Sequence, residues 1–136
     1  MKKKICIVLA NYYPDISKQL LKGASATLSS YGIKEYKKII APGIFEIPTL
    51  ISRHIKNFDA IIALGCVIKG KTPHFNFIST AATNGIMNLS IAHKKPIGNG
   101  IITCLNMNQA LERCNTKKKN KGGEAAKAVL SVLGIL

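Results

Sequence analysis

The sequence lacks the features that would point to a membrane, a disulfide framework or a metal site. No apolar run approaches the roughly 18 residues that a membrane-spanning helix needs. Its four cysteines, Cys6, Cys66, Cys104 and Cys114, form no CxxC pair and have no zinc-like spacing with the three histidines. We therefore expect reduced thiols, no bound metal and no membrane partner.

Acidic residues and arginines are also scarce. The chain has 6 Asp and Glu against 20 Lys and Arg, a formal net charge of +14, and Arg53 and Arg113 are its two arginines. Proteins that read nucleic acids favour Arg, because its guanidinium forms paired hydrogen bonds to bases and phosphates. Nucleic acid is therefore disfavoured as the main partner, although a basic surface would attract anionic metabolites.

The chain does contain a regular alternation of apolar and amphipathic runs along its 136 residues. Strands are predicted at 5–10, 36–41, 59–65 and 97–103, with a weaker candidate at 67–69. Helices are predicted at 16–31, 46–57, 74–93, 106–114 and 122–134. Near-continuous apolar strands that alternate with helices are typical of a parallel sheet covered on both faces. We therefore predict one three-layer α/β domain over residues 1–136.

The first residues, Met1 to Lys4, resemble the charged start of a signal peptide. The apolar run that follows is short, and Asn11 and Tyr12 come next instead of small residues at a cleavage site. A first strand is the better interpretation, and we expect the chain to be cytoplasmic.

Polar or glycine-rich segments follow all four main strands. Asn11 and Tyr12 follow the first strand, and residues 42–46, 65–74 and 103–106 follow the others. In open α/β sheets, ligands bind at the carboxyl ends of the strands. We therefore expect the four loops to converge on one edge of the sheet, which is a stronger signal than any one of them alone.

The segment 65–75, GCVIKGKTPHF, is the richest of these loops. It lies between a buried strand and a helix start, where unpaired amide groups and the helix dipole can hold a phosphate. Thr72 suits the N-cap and Pro73 the first helical position, which places His74 in the first turn. There His74 is a candidate proton-transfer residue. The alternative is an exposed histidine on an ordinary capped helix.

Further candidates rest on weaker patterns. Glu46, near Gly43 at a helix start, would accept hydroxyl hydrogen bonds or simply complement the helix dipole. Tyr12 would stack on a planar heterocycle or be an ordinary loop residue. Arg113 would bind an anion through two hydrogen bonds or be the cation of a helix C-terminus. A nucleophilic thiol at Cys66 is disfavoured, because the residue continues a buried-strand pattern.

In their order and spacing, these motifs resemble the 6,7-dimethyl-8-ribityllumazine synthase family, also called the riboflavin synthase beta-chain family. The resemblance rests on the segments at 42–48, 65–75, 100–103, 108–113 and 120–126. It implies a flavodoxin-like fold and the penultimate step of riboflavin biosynthesis, which needs no cofactor. In that step 5-amino-6-(D-ribitylamino)uracil condenses with 3,4-dihydroxy-2-butanone 4-phosphate through imine formation, loss of phosphate, ring closure and loss of water.

The resemblance also implies a role for each candidate residue. His74 would transfer protons, and the phosphate would be bound by Lys71, Thr72 and, from a neighbouring subunit, Arg113. Lys121 is a further candidate ligand contact. The residues that would hold the pyrimidine and its ribityl chain are Tyr12, Ile44, Phe45, Glu46, Cys66, Val67, Ile68 and Asn99.

Several positions depart from the pattern of the family. Asn99 stands where many relatives have an aromatic residue, so one stacking wall would be missing. Tyr13 stands where Asn is common, and Lys69 and Lys71 stand where Arg and a small or acidic residue are usual. These departures leave open a catalytically weak relative that carries flavin or lumazine. The positive charge leaves open a basic assembly module that packages nucleic acid.

The resemblance further implies a homo-oligomer with active sites at the subunit interfaces. Pentamers are expected, and a sixty-subunit shell of pentamers is the alternative that the sequence leaves open. Riboflavin synthase is a candidate partner.

Overall fold

The computed structural model describes residues 2–136, in which four strands form one parallel sheet of order β2-β1-β3-β4. The strands are β1 (Ile5–Ala10), β2 (Lys37–Ala41), β3 (Ala60–Ile68) and β4 (Ile97–Cys104). The helices are α1 (Pro14–Ser30), α2 (Ile47–His54), α3 (His74–His93), α4 (Met107–Cys114) and α5 (Lys121–Val132). Short 3-10 turns at Ile44–Glu46 and Ile55–Asn57 flank α2.

Both faces of the sheet are buried because the central strands are apolar at every position. In β1, Ile5, Ile7 and Leu9 pack on one face against residues of α1, α4 and α5. The alternate residues Cys6 and Val8 pack on the other face against residues of α2 and α3. The predicted three-layer, flavodoxin-like α/β fold is therefore confirmed.

Two predicted elements differ from the structure. The weaker strand candidate at 67–69 is wrong as a separate strand, because Val67 and Ile68 extend β3 and pair with the end of β4. The helix predicted at 46–57 is the shorter α2, with a 3-10 turn at each end. None of the helices within residues 2–136 combines the length and the apolar character needed to cross a membrane.

Glycines allow α5 to lie close to two other elements. A Cβ atom at Gly122 would collide with the carbonyl oxygen of Leu20 in α1. A Cβ atom at Gly98 in β4 would lie 2.5 Å from the carbonyl oxygen of Ala125. The contacts of α5 with α1 and β4 therefore depend on the absence of a side chain at these positions.

The two edge strands have different compositions. β2 carries the exposed lysines Lys37 and Lys38. β4, with the sequence IGNGIITC, has no charged residue.

Candidate functional site

A cleft of about 410 Å³ lies at the carboxyl ends of β1, β2 and β3. This is the point where the strand order reverses, since β2 lies on one side of β1 and β3 and β4 lie on the other. The structure brings nine predicted site residues together around the cleft: Tyr12, Ile44, Phe45, Glu46, Cys66, Val67, Ile68, Thr72 and His74.

The end of β3 supplies one wall of the cleft, and Cys66 and Val67 are buried there. Burial, with a smaller contribution from neighbouring Cys104, raises the pKa of the Cys66 thiol to about 12. The thiol therefore stays protonated near neutral pH, and a nucleophilic role for Cys66 has no support in its surroundings. At this point β3 would contact a ligand through its backbone.

The loop after β2 is compact because two glycines leave space for its side chains. A Cβ atom at Gly43 would lie 3.2 Å from Glu46 Oε1, and one at Gly65 would lie 2.5 Å from Ile44 Cδ1. Glu46 precedes α2 but its side chain makes no capping hydrogen bond to that helix. Its carboxylate is thus placed in the cleft wall to accept hydrogen bonds from hydroxyl groups.

His74 is the first residue of α3, one position earlier in the helix than predicted, because Pro73 and not Thr72 is the N-cap. Thr72 Oγ1 still accepts a long hydrogen bond, of 3.4 Å, from the His74 backbone N–H. His74 is exposed and lines the cleft, so a bound ligand has access to it. Lys71, in the same turn, is exposed and lies outside the cleft lining.

The remaining predicted residues, Asn99, Arg113 and Lys121, line a second cleft of about 340 Å³ beside β4. All four strand ends lie at one edge of the parallel sheet, as expected, but within a single chain they line two separate clefts. The reason is the strand order, because β4 is an edge strand that β3 separates from β1 and β2.

Each of these three side chains has a partner within the second cleft or next to it. Arg113 Nη1 donates a hydrogen bond of 2.6 Å to the Thr103 carbonyl oxygen, and Asn99 Oδ1 accepts one of 3.1 Å from the Ile101 N–H. Lys121 Nζ forms an ion pair of 2.8 Å with Glu124 in the first turn of α5. Arg113 is thereby held against the end of β4.

The cleft also contains Tyr13, Phe75 and Ile78, to which the sequence analysis gave no role in the site. Phe75 and Ile78 lie in the first two turns of α3, so helical spacing from His74 could have identified them. The signal at Tyr13 is an aromatic residue directly before a proline that starts a helix. Within residues 2–136, no cluster of three His, Cys, Asp or Glu side chains is placed to hold a metal ion.

Comparison with known proteins gives matches along nearly the whole chain. The family model described as 6,7-dimethyl-8-ribityllumazine synthase matches residues 2–136. A protein of that name from Nitrobacter hamburgensis is 43% identical over 136 residues, which cover 95% of this chain and 83% of the relative. The Buchnera aphidicola subsp. Baizongia pistaciae protein is 43% identical, with 99% and 88% covered. The Sulfurimonas denitrificans protein is 39% identical, with 98% and 89% covered. Both also carry this name.

Proposed function

Because the chain belongs to the 6,7-dimethyl-8-ribityllumazine synthase family, we propose that it makes 6,7-dimethyl-8-ribityllumazine at the strand-end cleft. The substrates are 5-amino-6-(D-ribitylamino)uracil and 3,4-dihydroxy-2-butanone 4-phosphate, and phosphate and water are released. The observation that carries the proposal is the cleft of about 410 Å³ that gathers an aromatic ring, a carboxylate and a histidine around one space. The chemistry needs no cofactor.

The pyrimidine substrate fits the half of the cleft formed by the first two loops and β3. The ring of Tyr12 is 71% exposed and offers a flat face for stacking on the pyrimidine. Residues 66–68 line the same space, and their backbone groups would pair with the uracil edge. The Glu46 carboxylate, with Ile44 and Phe45 beside it, would bind the ribityl hydroxyls.

The phosphorylated ketone fits the half of the cleft next to the start of α3. This helix has 20 residues, and the partial positive charge of its N-terminus favours an anion. Thr72 and Lys71 lie in the turn before it and would contact the phosphate. Positive charge at this point would stabilise phosphate as it leaves.

His74, the first residue of α3, lines the cleft and is the proposed proton-transfer residue. The 5-amino group attacks the ketone carbonyl, and His74 would accept a proton from nitrogen and return it to the leaving oxygen as the imine forms. The same imidazole would assist loss of phosphate and the final dehydration. One positioned acid–base group is worth about 10²–10⁴-fold in rate, and holding both substrates together adds the proximity contribution.

We further propose that the second cleft completes the site of a neighbouring subunit. It holds Arg113, Lys121 and Asn99, and in this arrangement Arg113 would reach the phosphate in the first cleft of the next copy. A contact between two different surfaces of identical chains is head-to-tail and can close into a ring. Pentamers fit this geometry, and a sixty-subunit shell would add contacts between pentamers.

Exposed apolar side chains on α3 support such an assembly. Phe77 and Ile91 are 68% and 67% exposed, and Met87 is also exposed. They would be covered where copies pack together. The proposal also includes one domain over residues 1–136. It further includes a cytoplasmic location, which the four free, buried cysteines support.

The test is turnover by the purified protein with both substrates, followed by the absorbance and fluorescence of the lumazine. Growth of the lumazine signal, dependent on the phosphorylated ketone, is the expected result. Tight binding of lumazine or flavin without turnover would favour the carrier, and salt-sensitive binding to random DNA would favour the packaging module.

A further inference from the structure

We propose that Tyr13 is a positioning residue that holds the ring of Tyr12 in the orientation needed to stack on the pyrimidine substrate. This inference rests on the proposed function, in which Tyr12 supplies the stacking face.

Helix capping does not explain the aromatic side chain at position 13. Tyr13 is the N-cap of α1, yet its side chain makes no capping hydrogen bond. The favoured N-cap residues are Ser, Thr, Asp and Asn, whose side chains accept a hydrogen bond from the first turn. This chain uses that device in two other helices, where Asn106 and Asn120 accept hydrogen bonds from the N–H groups of Gln109 and Gly123. Local stability would therefore favour Asn at position 13.

The geometry of the two tyrosines gives the aromatic ring a different use. Their ring centroids are 5.0 Å apart and the rings are inclined at 80°, an edge-to-face contact. Tyr12 is 71% exposed, whereas Tyr13 is half-buried and packs against the core on the α1 side of the sheet. The anchored ring thus restrains the exposed one.

The surroundings of Tyr13 support this anchoring. Burial raises the pKa of its phenol, and the neighbouring Cys66 thiol adds to the effect. Tyr13 and Cys66 both line the cleft, so Tyr13 lies close to the end of β3 as well as in contact with the ring of Tyr12. The position of Tyr12 is in this way tied to the strand that would contact the uracil.

The experiment compares Tyr13→Asn with Tyr13→Phe in steady-state kinetics. Tyr13→Asn should raise the KM for the pyrimidine about two- to tenfold, the range expected for an aromatic pair, and leave the KM for the phosphorylated ketone within about twofold. Its melting temperature should fall less than that of Tyr13→Ala, because both variants lose the packing of the half-buried ring but Asn supplies a cap. Tyr13→Phe keeps the ring and should restore the pyrimidine KM. Tyr31→Asn, at the opposite end of α1, is the matched control.

A double-mutant cycle separates positioning from a direct or purely structural role. In a Tyr12→Ala background, Tyr13→Asn should have no further effect on the pyrimidine KM, because the ring that it positions is absent. The same factor in both backgrounds, or a parallel rise in both KM values with lower stability, would overturn the proposal. If the wild-type chain shows no turnover, the proposed function fails. Equilibrium dialysis of the pyrimidine against the same variants then decides the role of Tyr13.

Discussion

At the scale of single residues, the position of His74 makes its proposed role in proton transfer separable by experiment from a role in binding. It lies at the cleft end of α3, while the proposed pyrimidine contacts come from Tyr12, the loop after β2 and the end of β3. We expect His74→Ala to lower kcat about 100-fold or more and to change the dissociation constant of the pyrimidine by less than about twofold. Stopped-flow kinetics and equilibrium dialysis measure the two effects.

The matched control is His93→Ala, at the other end of the same helix, which should leave both quantities unchanged. An unchanged kcat in His74→Ala would remove this residue from the mechanism.

Because of its buried thiols, the stability of the fold should decrease at alkaline pH. Burial raises the pKa of Cys6 to about 11 and that of Cys66 to about 12, from an ordinary value of 9.0. The folded chain thus keeps thiols protonated where an unfolded chain would ionise them. The stabilisation is complete below pH 9.0 and is lost as the pH rises through these raised values.

We therefore expect the free energy of unfolding in urea to fall as the pH rises from 9.0 to about 11. The free energy of unfolding should fall less steeply with pH in Cys6→Ala, which removes one such thiol in β1, far from the clefts. Identical slopes in the two proteins would mean that the Cys6 thiol does not contribute.

At the scale of elements, the apolar runs predicted all four strands and all five helices, but they ended the third strand too early. That strand was predicted to end at Gly65, with a separate weaker candidate at 67–69, yet β3 continues unbroken to Ile68. Pairing with β4 provides the hydrogen bonds that extend the strand, and this long-range contact is invisible in a local pattern. Glycine at this position is needed for close packing with Ile44.

Close packing of α5 against α1 gives a sharp test of the fold. We expect Gly122→Ala to lower the free energy of unfolding by about 1–3 kcal/mol or more, because the new methyl group would collide with the backbone of Leu20. This loss should outweigh the gain in helix propensity from alanine, which is at most about 1 kcal/mol. Urea unfolding monitored by circular dichroism provides the measurement.

Gly70→Ala is the matched control, since among the described residues no heavy atom beyond Gly70 and its two chain neighbours would lie within 4 Å of the added Cβ. Its stability should stay within about 0.5 kcal/mol of the wild type. Equal stability of Gly122→Ala and the wild type would show that the two helices can move apart at little cost.

At the scale of the whole molecule, the division of the site residues between two clefts predicts complementation between two inactive variants. Co-expressed His74→Ala and Arg113→Ala chains should form mixed rings. In some sites an Arg113→Ala chain supplies the first cleft and a His74→Ala chain supplies the second. Such a site has the wild-type residue at both position 74 and position 113. With random mixing, about a quarter of the interfaces are of this kind.

We expect each variant alone to have little activity and the mixed rings to recover about a quarter of the wild-type rate. Purified variants mixed without exchange of subunits are the control and should not recover activity. Failure of the co-expressed rings, despite mixed composition in native mass spectrometry, would place His74 and Arg113 in the same chain's site.

The motifs identified the family, which the comparisons confirm, but residue patterns alone did not separate the two clefts. Each strand ends in a polar segment, and nothing in these segments specifies which strand lies at the edge of the sheet. The order β2-β1-β3-β4 results from pairing between strands far apart in sequence. The role of Tyr13 was likewise not visible, because it depends on the relative position of two rings in space.

The uncharged edge strand β4 affects the risk that newly made chains aggregate. Lysines protect the opposite edge, β2, from pairing with a second chain. On β4, the Asn99 amide and the Arg113 guanidinium form hydrogen bonds with two backbone groups, and these groups are then unavailable for pairing with a second chain. In the proposed assembly, closure of the ring would compete with aggregation through β4. Substitution of Arg113 would free one of these backbone groups, so selection for solubility would act on the same residue as the proposed selection for phosphate binding.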